Sequence, residues 1–349
     1  MTEHPPIPWS IFDNLPDPVL VLDRDRTIIS ANRAALDLFG RSVEGNDMAL
    51  ALRQPSAITI AEAALNGKHP KPAELSLYTG ANQIFEIYAT PVPDAGAFRA
   101  VITLHDTTRE KQTEGMRADF VANVSHELRS PLASLIGFVE TLRGPAKDDR
   151  EAQEKFLGIM HSEAERMARL IDDLLSLSKV EVDEHIQPRD QVSLSSLLRQ
   201  VVDAMGVRAN EKGMTVSLNM SANLPDVVGD EDQLTQVFQN LIDNAVKYGR
   251  PKSDINIEIS VVDRVPGTAA PGVSVSIKDQ GDGISEEHLS RLTERFYRVD
   301  KARSRELGGT GLGLAIVKHI IGRHRGWLAI DSEENIGSTF TVTLPVLEA

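Results

Sequence analysis

The chain of 349 residues contains no cysteine, which excludes disulfides, thiolate metal sites and any cysteine-linked chromophore. It also lacks any apolar run approaching the ~18 residues needed to span a bilayer. Met1 to Pro8, rich in proline and carrying Glu3 and His4, does not have the pattern of a signal peptide. The chain is therefore expected in the cytoplasm, either by itself or as the cytoplasmic portion of a membrane-anchored protein. Cations are in deficit: 37 Lys and Arg stand against 51 Asp and Glu, a net charge of -14. A nucleic-acid backbone calls for a basic footprint instead, so nucleic acid is not an expected partner. The hydrophobic content of 41% is ordinary for a soluble protein, and the length suits two or three domains with their own cores.

What the chain does have is a histidine, an adjacent carboxylate and a hydroxyl four residues on, within Phe120-Val121-Ala122-Asn123-Val124-Ser125-His126-Glu127-Leu128-Arg129-Ser130-Pro131-Leu132. Val121, Val124, Leu128, Leu135, Phe138 and Leu142, with Pro131 in register, follow the spacing of a helix packing seam. His126 falls between seam positions and shares its face with Ser130, one turn on, which presents an imidazole to solvent on a rigid element. Pro131 removes the bond to the Glu127 carbonyl. The seam nevertheless continues to Leu142 before Gly144-Pro145 supplies a stop, so one helix kinked at the proline is expected. This stretch resembles the phosphoacceptor box of sensor histidine kinases, with Ser130 where threonine is commonest. The resemblance covers Arg109 to the C-terminus, and Arg117-Ala118-Asp119 before the box with Gly144-Pro145-Ala146 after the helix is most similar to the phosphate-regulon sensor subgroup.

Upstream, Val19-Leu20-Val21-Leu22-Asp23 reads as a strand, Arg24-Asp25-Arg26 as a turn and Thr27-Ile28-Ile29-Ser30 as the returning strand. Asn32 to Phe39 has helical spacing, with Gly40 as its stop, and strands are expected at Ala73 to Leu77, Ile84 to Pro91 and Arg99 to His105. This order resembles a PAS sensor domain over 11–105, and without cysteine it excludes flavin–cysteine photochemistry. His69 and His105 have no ligand-like spacing. A connector and a dimerisation/phosphotransfer hairpin are expected over 106–185. Its second helix runs from about Glu151 to Val182 with Leu157, Met160, Ala164, Met167, Ile171 and Leu174 as seam. Two such helices cannot bury their stripes alone, so a four-helix bundle made by two chains, and hence a homodimer, is inferred.

Pro188 to Val192 reads as a linker, and Ser193 as the cap of a helix from Leu194 to Asn210. Beyond it four motifs follow. Asn240, Asn244 and Lys247 share one side of a helix, an amide oxygen suiting magnesium and a lysine suiting phosphate. Asp279-Gln280-Gly281-Asp282-Gly283 ends the alternating strand Val273 to Ile277. Its carboxylate can accept the exocyclic amine of adenine, while Gly281 and Gly283 allow close backbone approach. Arg295-Phe296-Tyr297-Arg298-Val299 and the basic run Lys301, Arg303, Arg305 precede Gly308-Gly309-Thr310-Gly311-Leu312-Gly313-Leu314, whose glycines open a helix and offer amides to phosphates. No Lys-Ser or Lys-Thr pair follows, so this is not a Walker loop. Gly337-Ser338-Thr339-Phe340 completes the set.

Order and spacing resemble the GHKL nucleotide-binding fold over 190–347, shared by histidine kinases, gyrase B, Hsp90 chaperones and mismatch-repair ATPases. The whole is then an α+β multidomain chain. By that resemblance Asn244 coordinates Mg²⁺ and Asp279 reads adenine. Asn240, Lys247, Tyr248, Arg298, Gly309, Gly311 and Gly313 line the nucleotide site together with Gly281 and Gly283. The activity implied is that of a two-component kinase in which His126 takes the γ-phosphoryl group of ATP, with Glu127 as base or orienting group. The phosphoryl group then passes to an aspartate of a response regulator. Ser130 implies phosphatase activity toward that regulator, because in related kinases the hydroxyl at this place positions the hydrolytic water. A nucleotide-binding adaptor or phosphatase would carry a degraded box or lack Asn244, and a mechanical GHKL ATPase would lack the His126 hairpin. Neither mark is present.

Overall fold

A computed structural model describes residues 12–39, 43–78, 82–94, 97–183, 186–300, 303–304 and 307–346. Met1 to Pro8, Gly40, Lys301, Arg305 and Leu347 lie outside these. The chain divides into two compact units between Ala122 and Asn123.

In the first unit the apolar run of β1 (Val19–Leu22) is wholly buried and pairs antiparallel with both β2 (Ile28–Ala31) and β5 (Ala97–Asp106). A fully buried central strand has no solvent face to supply with polar residues, so it reads as a continuous apolar run. With β3 (Ala73–Tyr78) and β4 (Asn82–Asp94) the sheet order is β2-β1-β5-β4-β3. Helices α1 (Arg33–Phe39), α2 (Met48–Ala51) and α3 (Pro55–Leu65) cover one hydrophobic cluster that includes Leu20, Ile28, Ile60, Ile87 and Ile102. Asn32 is 4% exposed and fully used: its Oδ1 accepts from the amides of Val19 and Ala35, and its Nδ2 donates to the Phe12 and Asp17 carbonyls. His105 pairs with Asp17 at 3.0 Å on the surface, and no metal-binding cluster occurs among the described residues.

α4 (Thr108–Arg143) starts where the Asp106 carboxylate accepts the Thr108 amide at 2.9 Å, an Asx turn that leads into the helix. It runs unbroken through Pro131, which is buried, into the second unit. α5 (Arg150–Val182), capped by Asp149, returns beside it, and the rings of Phe138 and Phe156 stack at 5.3 Å. On α5, Leu170, Leu177 and Val180 are buried and Met160, Met167 and Leu174 half-buried, whereas Leu157, Ala164 and Ile171 are exposed on this single chain.

The remainder is a sheet of order β11-β12-β10-β9-β7, with β7 (Thr215–Met220) parallel to β9 (Asp254–Val262) and the β10 (Gly272–Lys278), β11 (Trp327–Glu333) and β12 (Gly337–Pro345) pairings antiparallel. Helices α6 (Leu194–Glu211), α7 (Glu231–Tyr248) and α9 (Gly313–Arg323) pack on it, and the short α8 (Glu286–Leu289) lies between β10 and α9 in sequence. Two local expectations are corrected. Residues read as linker form β6 (Asp190–Val192), antiparallel to β8 (Val227–Gly229), because Val192 is buried there and its neighbours are not. Ser193 stands at the start of α6 without a capping bond, its hydroxyl meeting Ser195 Oγ at 3.1 Å instead. No helix among the described residues is long and apolar enough to cross a membrane.

Candidate functional site

α7 buries Leu234, Val237, Phe238, Leu241, Ile242, Ala245 and Val246, a stripe with three- and four-residue steps that fixes its rotation. Each such Leu or Phe contributes about 1.5–3 kcal/mol on burial, and the opposite side of the helix is thereby committed to a cavity. That cavity, of about 360 Å³, is lined by Asn240, Asn244, Lys247 and Tyr248 of α7, by Asp279, Gly281 and Gly283 after β10, by Arg298, and by Gly309, Gly311 and Gly313 leading into α9. The eleven expected nucleotide-site residues are thus brought together. The volume falls in the range of small-molecule sites.

The wall is made with unused hydrogen-bonding capacity. Asn240 Nδ2 is buried and unpartnered, as is Arg298 Nε. Unsatisfied buried polar groups cost about 1–3 kcal/mol, so their presence in a cavity wall fits a polar ligand there. Asp279 is 4% exposed. Its Oδ1 accepts from the amides of Gly281 at 2.8 Å and Ser338 at 3.4 Å, both bonds falling on the same oxygen. Burial raises its pKa and these amides oppose the shift. Asn244 also lines the cavity. The oxygen donors at Asn240 and Asn244 suit a hard cation such as Mg²⁺, and the Lys247 ammonium suits a phosphate oxygen, although Lys247 Nζ here lies 2.6 Å from Asp243 Oδ2.

The glycines divide by reason. Gly311 has φ +75°, and a Cβ there would sit 3.0 Å from the Phe296 backbone. Gly283 has φ +69° and a Cβ would strike the Glu333 carbonyl oxygen. The β11–β12 hairpin by itself therefore demands glycine at this position. Tyr248 meets Ser304 hydroxyl to hydroxyl at 3.2 Å, and Gly249 bridges to Gly281, which ties the end of α7 to the Asp279 turn.

His126 and Ser130 are both exposed on α4, one turn apart. Glu127 does not face His126. Its Oε2 accepts from Arg166 Nη2 of α5 at 2.8 Å and from Arg298 Nη2 at 3.1 Å, and Arg298 also donates to the Thr310 carbonyl at 2.7 Å. Residues not foreseen from sequence complete the arrangement. Arg169, Asp172 and Asp173 of α5 line the same cavity, and Thr310 donates to Asp173 at 2.6 Å. Burial raises the Asp173 pKa, opposed by that hydroxyl and by Lys247. The available signal was Arg166 and Asp173 standing at seam-facing positions of an otherwise apolar stripe.

Three family models match: "Histidine kinase-, DNA gyrase B-, and HSP90-like ATPase" over 229–348, "His Kinase A (phospho-acceptor) domain" over 116–182, and "PAS domain" over 10–67. The phosphate regulon sensor protein PhoR of Pseudomonas aeruginosa is 36% identical over 337 residues, 94% of this chain and 71% of that protein. The chain belongs to the sensor histidine kinases. Sensor protein kinase WalK of Staphylococcus epidermidis is 32% identical over 341 residues, 96% of this chain but 54% of that protein, so the chain spans about half the length of such relatives. Among solved structures, Acinetobacter baumannii histidine kinase AdeS matches at TM-score 0.50 and 25% identity, over 64% of this chain and 98% of that one. Histidine kinase ThkA, in complex with response regulator protein TrrA, shares the fold at TM-score 0.53 and 21% identity, over 98% of this chain and 99% of that one.

Proposed function

We propose that this sensor kinase phosphorylates His126 from ATP and passes the phosphoryl group to an aspartate on a separate response regulator. The observation that carries this reading is the cavity that gathers a buried carboxylate, a polar helix face and a glycine-rich helix entry in the same compact unit as an exposed histidine on a helical hairpin. Asp279 would accept the adenine amine, and Gly309, Gly311 and Gly313 would present amides to the phosphates. Asn244, with Asn240 beside it, would hold Mg²⁺, which supplies neutralisation of phosphate charge. A ring nitrogen of His126 attacks the γ-phosphorus, an N–P bond forms as the bond to the bridging oxygen breaks, ADP leaves, and the ring proton passes to a base.

Glu127 is the nearest carboxylate in sequence for that role. In the geometry described it is held by Arg166 and Arg298, so it must leave them to serve His126. Ser130, exposed on the His126 side of α4, supports a second activity in which its hydroxyl positions water for hydrolysis of the phospho-regulator. A homodimer is supported by apolar stripes that this chain leaves open: Leu132, Ile136 and Val139 on α4, and Leu157, Ile171 and Leu175 on α5. Two chains would bury them as a four-helix bundle. The domain limits that suit this reading are a PAS-like sensor over 11–105, connector and hairpin over 106–185, and ATP-binding domain over 190–347.

The test is labelling with γ-³²P ATP. The parent should acquire label that is lost in acid and kept in alkali, as phosphohistidine is, and His126→Gln should acquire none while binding ATP as the parent does. Acid-labile label retained by His126→Gln would end the assignment.

A further inference from the structure

The cations that line the nucleotide cavity are not equally available. Lys247 Nζ is 2.6 Å from Asp243 Oδ2, Arg298 Nη2 donates to Glu127 and to the Thr310 carbonyl, and Arg303 Nη1 is 2.6 Å from Asp282 Oδ2. Arg169 lines the same cavity from α5. Among the described residues no hydrogen bond or ion pair is made by its guanidinium, although it is close enough to Asp173 to favour that carboxylate's ionised form. The charge balance makes this matter. Of the described lining residues, four are cationic (Arg169, Lys247, Arg298, Arg303) and six are carboxylates (Asp172, Asp173, Asp243, Asp279, Asp282, Asp300). A wall acidic by count, with three of its cations already engaged, holds polyphosphate poorly unless the remaining guanidinium turns to it.

The end of the cavity that Arg169 reaches is fixed by Gly308. A Cβ on Gly308 would lie 3.3 Å from Arg169 Nη2, and Gly308 leads directly into the glycine run before α9. That is the phosphate end, remote in role from the Asp279 turn that closes the other. We propose that Arg169, a residue of the phosphoacceptor hairpin, binds the terminal γ-phosphate of ATP, so that the hairpin itself distinguishes ATP from ADP. The inference rests on the reading of the cavity as the ATP site, and goes beyond it by assigning a phosphate contact to a helix outside the ATP-binding domain.

The experiment is equilibrium binding of MgATP and MgADP by calorimetry to the full chain, its Arg169→Met variant and its Arg169→Lys variant. Arg169 is exposed, so neither substitution burdens the core. Arg169→Met should lower the preference for ATP over ADP at least about fivefold, chiefly through weaker ATP binding, and Arg169→Lys should restore part of it because the charge remains while the two-pronged donor is lost. A preference unchanged in Arg169→Met overturns the proposal, including the case in which both nucleotides weaken equally, which is what a merely structural role gives. A parent that binds neither nucleotide overturns the ATP-site reading as well. A parent that binds both, with Arg169→Met indistinguishable from it, overturns this inference alone.

Discussion

His324 sets a pH limit on the nucleotide-binding fold. It is 1% exposed at the end of α9, its Nδ1 is 2.7 Å from the Ile320 carbonyl and its Nε2 is 2.9 Å from the Asp230 amide. A carbonyl can only accept and an amide can only donate, so the ring is neutral with its proton on Nδ1. Burial lowers its pKa. The Ile320 carbonyl opposes that shift, Arg323 adds to it and Asp230 opposes it. The folded value thus lies below the unfolded one of about 6.5. Between the two, the unfolded chain binds more protons. Stability is therefore undiminished above about pH 6.5 and falls beneath it by up to about 1.4 kcal/mol per pH unit until the folded pKa is reached. Protonation places a hydrogen on Nε2 against the Asp230 amide, at the residue whose carboxylate caps α7 through the Gln233 amide at 3.1 Å, so the loss is felt at the helix that carries Asn240 and Asn244. His324→Gln removes the titration and, with one bond and part of the ring packing gone, should cost about 1–3 kcal/mol at pH 7.5. Thermal melts of both proteins from pH 7.5 to 5.5 give the assay. The raised carboxyls of Asp173 and Asp279 act in the opposite sense, their stabilisation growing as pH falls, and being common to both proteins they cancel in the difference. The melting-temperature gap between parent and variant should narrow as the pH drops. A gap constant across that range would refute the argument.

Asn244→Ala should weaken MgATP binding and stop labelling of His126 while the chain stays dimeric by light scattering; normal labelling would remove Asn244 from the metal site. Asp279→Asn should lower adenine-nucleotide affinity about tenfold or more, since a buried carboxylate acceptor is hard to replace, with a guanine nucleotide far less affected; equal loss for both would deny it the base-reading role. Ser130→Ala should sharply slow loss of label from purified phospho-regulator, with Ser130→Thr preserving or raising it and kinase activity changing far less in either; dephosphorylation by Ser130→Ala at the parental rate would show that the hydroxyl has no such part.

The elements that local pattern dictates were legible. β1 is a solid apolar run, α7 an amphipathic stripe, and the Asp279 turn and α9 entry are marked by glycines whose positive φ values the backbone uses. Other patterns carry two meanings. The exposed Leu157, Ala164 and Ile171 and the half-buried Met160, Met167 and Leu174 of α5 interleave with the same period, and periodicity cannot say which stripe meets which surface. β6 was lost because three residues are too few for alternation to register, and their partner β8 is equally short. At Gly283 the local motif shows only part of the constraint, since the Glu333 carbonyl that excludes a side chain there arrives from fifty residues downstream.

Glu127 shows the limit most sharply. Its neighbour in sequence is His126, and adjacency suggested that the pair acts as one unit. On a helix, however, consecutive residues diverge by about 100°, so a carboxylate beside a solvent-facing imidazole is turned toward whatever packs against the next face. Here that face receives Arg166 and Arg298, the latter 171 positions away. The side chain of Arg298 is 4% exposed and that of Glu127 18%. At that burial, breaking one partner of the cluster leaves an uncompensated charge. Freeing Glu127 for His126 thus means leaving the guanidiniums of Arg166 and Arg298 without the anion they share, so in the geometry described Glu127 is committed to that cluster and not to the imidazole beside it in sequence.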